Sequence, residues 1–224
     1  MHLALLELGR KLVDFVLHVD RHLAEIVANC GGWTYGILFL VVFVETGLVV
    51  MPFLPGDSLL FATGAICALP AAGLNVHLMA ALLLVAAFLG DTANYWIGRR
   101  LGPAVFKRED SVWLRKKHLD RAHEFFEQYG GRAVILARFV PFVRTFVPFV
   151  AGVGAMSYRR FLAYNLVGGV VWIYSFLYLG YFFGNLPAVK KNFGLVILGI
   201  IFLSILPMVF EVVRAWLKQR KAGA

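Results

Sequence analysis

Four ionisable side chains, Glu45, Asp57, Arg138 and Arg144, lie inside stretches that are otherwise apolar and repeatedly broken. Glu45 interrupts the apolar run 33–50, and Met51-Pro52-Phe53-Leu54-Pro55-Gly56-Asp57 follows it. The second stretch, 132–156, holds both arginines and is broken by Pro141, Pro148, Gly152 and Gly154. Arginine presents a planar fork of donors that grips phosphate or carboxylate, and it stays charged at any relevant pH. Two arginines six residues apart across a proline break can converge on one anionic head group. A carboxylate held between burial, which favours its neutral form, and an arginine, which favours its charged form, can take up a proton as a site changes. These residues therefore suggest an anion bound by Arg138 and Arg144, with its movement coupled to protons through Glu45 or Asp57.

Composition says where this chemistry takes place. The 224 residues are 60% hydrophobic and only 16% charged, with a mean hydropathy of +0.76. A soluble domain is about 45–50% apolar and ~25% charged. An ordinary cytosolic enzyme, a disordered chain and a secreted disulfide scaffold are excluded, leaving a polytopic all-α membrane protein. The net charge of +9 comes from Lys and Arg at the ends of apolar segments. That is the distribution of topology signals rather than of a nucleic-acid surface. A charge at the bilayer centre costs ~2.5–3.5 kcal/mol, so four unpaired charges would cost roughly 10–14 kcal/mol. Two acids and two arginines sum to zero and are tolerable if they pair or line a wet cavity.

The elements that must position them follow from length and breakers. Residues 1–32 hold an amphipathic helix, with Leu5, Leu8, Leu12, Phe15, Val16, Val19, Leu23 and Ile26 at three- and four-residue steps. Such a helix lies on a membrane surface. Met1 to Arg10 does not read as a signal peptide, because Arg10 and Lys11 follow the first apolar run with no cleavage-like site. Ser58 to Leu69 is too short to cross, rising only ~18 Å against a hydrocarbon core of about 30 Å. Residues 33–70 read as a re-entrant hairpin with Asp57 at its broken tip. The alternative is one crossing, 33–50, and a short return. Residues 74–98 form a transmembrane helix interrupted by Asp91 and Asn94. The loop 99–131, with eight Lys/Arg and a short surface helix over 118–129, is expected to be cytoplasmic.

The order then repeats. Residues 132–156 read as a second hairpin, 160–184 as a second transmembrane helix and 193–216 as a third. The basic tail 217–224 is expected on the same side as 99–131. The halves 33–98 and 132–184 thus have the build of an inverted repeat. Broken apolar segments at matching places in such repeats point to the binding site of a secondary transporter. The breaks are Pro52, Pro55 and Gly56 in the first half, and Pro141, Pro148 and Gly152 in the second.

Other features have plainer readings. Asp91, Asn94 and Tyr95 on one helix are secondary site candidates, as suited to binding a neighbouring helix as a substrate. Gly180 and Gly184 form a GxxxG pair for close helix packing, and Trp172 reads as packing. Cys30 and Cys67 form no metal or redox pattern. His18 and His22 stand one turn apart with no third ligand nearby, so no metal is expected. No nucleophile elbow, Walker motif, HExxH or dinucleotide loop is present. Neither catalysis nor a cofactor is expected.

Three stretches resemble the DedA family, also called the SNARE-associated or VTT-domain family. They are Glu45 with Pro52, Pro55-Gly56-Asp57 and Gly64; Gly90-Asp91-Thr92-x-x-Tyr95-Trp96-Ile97-Gly98-Arg99 with Gly102; and Arg138-Phe139-x-Pro141-x-x-Arg144-x-x-x-Pro148-x-x-Ala151-Gly152 with Met156, Phe161, Asn165, Gly168 and Trp172. The resemblance runs from about residue 33 to 184. It implies a bacterial inner-membrane protein with two facing re-entrant hairpins. It also implies a role in returning undecaprenyl phosphate, the lipid carrier of cell-wall synthesis, across the bilayer. The family's important acids and arginines fall on Glu45, Asp57, Arg138 and Arg144. Many relatives carry Glu where this chain has Asp57, whose reach is one methylene shorter. A proton-coupled transporter of a small solute or cation, a nonselective phospholipid scramblase and a structural membrane protein remain competing readings. Oligomeric state is left open.

Overall fold

The computed structural model describes residues 30–48, 56–105, 129–140, 143–193, 195, 196, 198–200 and 202. The expected helices at 1–32 and 118–129, the tail 217–224, most of 99–131 and 193–216, and the breakers Pro52, Pro55 and Pro141 lie outside these residues. The described residues are helical, with no strand among them. The helices are α1 (Trp33–Gly47), α2 (Gly56–Cys67), α3 (Val76–Val105), α4 (Ala133–Ala137), α5 (Val143–Val150), α6 (Tyr158–Phe183) and α7 (Pro187–Lys191).

Two helices are long and apolar enough to cross a bilayer, Val76–Leu101 within α3 and Tyr158–Phe183, each of 26 residues. Each rises ~39 Å, more than the ~30 Å hydrocarbon core. Their outward faces expose Leu78, Val85, Leu89, Leu166, Val170 and Phe182, apolar side chains suited to lipid. Asn75 starts α3 by accepting from the backbone N–H groups of His77 (2.9 Å) and Leu78 (3.1 Å), a side-chain cap. The helix runs past the expected end at 98 to Val105. Arg99 and Arg100 leave the apolar layer without ending the helix, and their straight-chain side chains favour helical backbone.

The other helices are short. α1 has 15 residues, α2 has 12 and α5 has 8, or ~22, ~18 and ~12 Å of rise. Gly56 opens α2, placing Asp57 in its first turn, where the helix dipole favours a carboxylate. Pro148 departs from expectation. It lies inside α5, which continues past it to Val150. The interruption falls instead at the turn Arg138–Val140 and at a π-helical turn, Ala151–Ala155, which includes Gly152. There the Met156 N–H donates to the Ala151 carbonyl five residues back, at 3.3 Å.

The short helices pack on the long ones: α1 on α3, α2 on α6, and α5 with the π turn on α3. Several crossings are close enough to require glycine, among them α1 on α3, where a Cβ on Gly90 would meet the Phe43 carbonyl at 2.8 Å. At the α2–α6 crossing, a Cβ on Gly64 would collide with the Leu177 carbonyl and one on Gly180 with the Phe61 carbonyl. Where the π turn meets α3, a Cβ on Gly152 would collide with the Tyr95 carbonyl and one on Gly98 with the Phe149 carbonyl. At these last two crossings the offsets match: each carbonyl belongs to the residue three before the opposing glycine. Gly184 meets Ala65 one turn beyond Gly180, so the GxxxG pair packs two helices together.

Gly180→Val should therefore lower the thermal midpoint of the purified protein, with overpacking costing about 1–3 kcal/mol. Gly36→Ala is the control, because a Cβ there meets nothing within 4 Å. It should leave the midpoint unchanged or slightly raised. Equal midpoints for wild type and Gly180→Val would refute the tight crossing.

Candidate functional site

The charged side chains of the short helices meet in the middle of the bundle. Arg144 of α5 forms ion pairs with Glu45 of α1, through Nη2 and Oε1, and with Asp57 of α2, through Nη1 and Oδ1 at 3.2 Å. Glu45 is fully buried. Its carboxylate lies against Gly56 at the start of α2, where a Cβ would come within 2.5 Å of Oε1. Glycine there admits the acid, and the N-terminal end of α2 favours its charge. Glu45 Oε2 has no hydrogen-bond partner among the described residues.

Arg138 pairs elsewhere. The sequence left the two acids and two arginines to pair with one another or to line a wet cavity. Arg138 instead leaves the turn after α4 and forms an ion pair with Asp91 of α3. It also donates to Asn165 Oδ1 of α6. Asn165 is held in turn by donating to the Phe88 carbonyl at 3.4 Å. Gly168 makes room for the arginine stem, since a Cβ there would lie 3.1 Å from Cδ and Nε of Arg138. The set thus contains three carboxylates, Glu45, Asp57 and Asp91, against two guanidiniums. With every group ionised its charge is −1, not the zero expected from four residues.

Trp172 links the two pairs. Its indole Nε1–H donates to Asp57 Oδ1 at 2.7 Å. The guanidinium carbons of Arg144 and Arg138 lie 5.3 and 5.7 Å from its ring centroid. Desolvated contacts of this kind are worth ~2 kcal/mol each. Trp172 is therefore more than packing, and Asn165 is a further partner that was not singled out as a site residue. The available signal was their shared stripe on α6: Asn165, Gly168 and Trp172 stand at i, i+3 and i+7.

The remaining candidates divide. Asn94 donates to the carbonyls of Thr145 (2.6 Å) and Thr46 (3.3 Å), tying α1, α3 and α5 together beside the charges. Tyr95 belongs to a separate aromatic cluster. It stacks on Phe161 with centroids 4.7 Å apart, and its hydroxyl donates to the Met156 carbonyl at 2.9 Å. Thr46, Asp91, Arg138, Arg144, Thr145 and Trp172 line a cavity of about 10 Å³, room for roughly one water. The cavity as it stands does not hold an anion larger than water beside the arginines. Among the described residues no cluster of His, Cys, Asp and Glu could hold a metal.

Short apolar helices carrying an ion-paired core between two membrane-length helices define a helical membrane protein with a buried polar centre. The VTT domain matches residues 54–182, and this chain belongs to that family, the DedA family. It is 57% identical to Protein DedA of Escherichia coli (strain K12) over 203 residues, 91% of this chain and 93% of that protein. It is 48% identical to the uncharacterized membrane protein Rv0364 of Mycobacterium tuberculosis, covering 84% of this chain and 82% of that one. It is 37% identical to the inner membrane protein YqjA of Escherichia coli (strain K12), covering 71% and 72%. No solved structure matches the chain.

Proposed function

We propose that this protein moves undecaprenyl phosphate across the bacterial inner membrane, returning the carrier lipid for envelope synthesis, with protons as the coupling ion. The observation that carries this reading is the pair of arginines held against one indole by three carboxylates, two at the ends of short helices and one, Asp91, within α3. A lipid phosphate keeps its tail in the bilayer, so a carrier need shelter only the head. Arg138 and Arg144 would take the phosphate from their resident acids, exchanging one set of charge-assisted bonds for another. The excess negative charge of the resting cluster favours uptake of a proton, with Glu45 and Asp57, which share Arg144, as the coupling pair.

In this reading, 33–98 and 132–184 are inverted halves, and 33–70 and 132–156 are re-entrant hairpins. The matched glycine contacts of α2 on α6 and of the π turn on α3 support that pseudo-symmetry. The loop 99–131 and the C-terminal tail would face the cytoplasm by their Lys and Arg content. The name of the relative YqjA supports the inner membrane as the site of action.

The test is movement of undecaprenyl phosphate in liposomes holding the purified protein, with and without a pH gradient. Wild type is expected to show gradient-dependent movement. Glu45→Gln with Asp57→Asn should remove the gradient dependence while the protein stays folded. Full, pH-dependent activity in that variant would overturn the coupling role. No movement by folded wild type would overturn the substrate.

A further inference from the structure

One end of the bundle gathers arginines that the central cluster does not use. Met156 marks the place. Its carbonyl accepts from Tyr95 of α3, its side chain lies 3.0 Å from where a Cβ on Gly131 would stand, and α6 begins two residues later. Arg99 and Arg100 follow Tyr95 on α3 by about one turn. Arg132 follows Gly131, and Arg159 and Arg160 occupy the first turn of α6. All five are exposed, and none has a carboxylate partner among the described residues. No Asp or Glu occurs in 95–101, 129–132 or 156–165.

Two further observations say what this surface faces. Ser157, the N-cap of α6, makes no side-chain capping bond, so its hydroxyl leaves the first-turn N–H groups available to an anion. Trp96 is 41% exposed, lies 5.4 Å from the Tyr158 ring and carries the Arg99 guanidinium 5.4 Å above its own. Tryptophan and tyrosine beside arginine is the composition of a membrane interface. Below this ring, the exposed face of α6 continues as Leu166 and Val167. A soluble anion would have no use for that apolar border, whereas a lipid has a head for the arginines and a tail for the helix face.

We propose that Arg99, Arg100, Arg132, Arg159 and Arg160, with Trp96 and the start of α6, form a docking surface for anionic phospholipid headgroups. It is separate from the central cluster and does not depend on the transport reading. Its chemistry is phosphodiester recognition by several exposed guanidiniums, each worth about fivefold in affinity near an anionic surface.

The probe is phosphatidylglycerol, compared with phosphatidylcholine, titrated onto the full-length protein in neutral detergent and counted by native mass spectrometry. Wild type should retain phosphatidylglycerol at least tenfold more tightly than phosphatidylcholine. Arg159→Gln and Arg160→Gln should each weaken that retention about fivefold, and Arg99→Gln with Arg159→Gln about 25-fold, at unchanged elution on size exclusion. Gly36→Ala, at the opposite end of the bundle beside Tyr35 and Asn75, should leave it unchanged. Equal retention of the two lipids would overturn the proposal. So would full retention in the single arginine variants, or displacement of the lipid by millimolar inorganic phosphate at constant ionic strength. The single substitutions lie on an exposed helix start and serve as the test even where the double variant fails to fold.

Discussion

Arg138→Ala should cost this protein most of its stability, about 3–5 kcal/mol, because it leaves Asp91 buried without its counter-charge. Asp91 is only 4% exposed and lies on a membrane-length helix, so bulk solvent does not reach it to stand in for the guanidinium. Arg138→Met combined with Asp91→Leu should recover most of the loss, since apolar replacement of both buried partners is often neutral or stabilising. The double variant should fold and still fail to move lipid phosphate, having lost one of the two groups proposed to bind the anion. Thermal unfolding of the purified variants, paired with liposome transport, separates the effects. A double variant that transports normally would show that the pair only holds the fold. A single variant as stable as wild type would show that the pair is wet.

Trp172→Phe should reduce transport by one to two orders of magnitude while preserving the fold. Phenylalanine keeps an aromatic face for both guanidiniums but removes the N–H that Asp57 accepts at 2.7 Å. A hydrogen bond to a charged group is worth about 1.5–3 kcal/mol, which corresponds to roughly 10–150-fold. In the proposed cycle, where Arg144 would turn to an anion, the indole N–H would stay on Asp57. Trp172→Leu removes the ring as well and should be more severe, lowering stability in addition to rate. Transport against lipid concentration, at fixed pH gradient, is the measurement. Wild-type rates in Trp172→Phe would return this residue to a packing role.

The long helices were legible in the sequence because an apolar run of this length has one solution in a membrane. Residues 74–98 and 160–184 correspond to α3 and α6, with ends displaced by one to seven residues. The short helix after the first break was legible for a similar reason, since breakers act locally: the apolar stretch expected at Ser58–Leu69 lies on α2, which begins two residues earlier at Gly56. Which acid meets which arginine was not legible. Arg138 and Asp91 are 47 residues apart, and their meeting depends on which face of α3 the 138–140 turn packs against. Periodicity within one helix does not carry that information. Pro148 misled because proline is a breaker by rule, yet the glycines just after it, Gly152 and Gly154, fall where the helix widens into a π turn. Trp172 looked like packing because an indole in an apolar run is ambiguous until its N–H has a partner.

The separation of the ion pairs along the chain also has a consequence in time. Glu45 and Arg144 are 99 residues apart, and Asp57 and Arg144 are 87 apart. At ~5–20 residues per second of synthesis, Glu45 leaves the ribosome roughly 5–20 s before the arginine that will neutralise it. Gly64 likewise precedes its partner Gly180 on α6. The nascent first half therefore waits without Arg144 for its acids and with its glycine face uncovered. This makes it the stage at which insertion factors must shelter the chain and quality-control proteases have their opening.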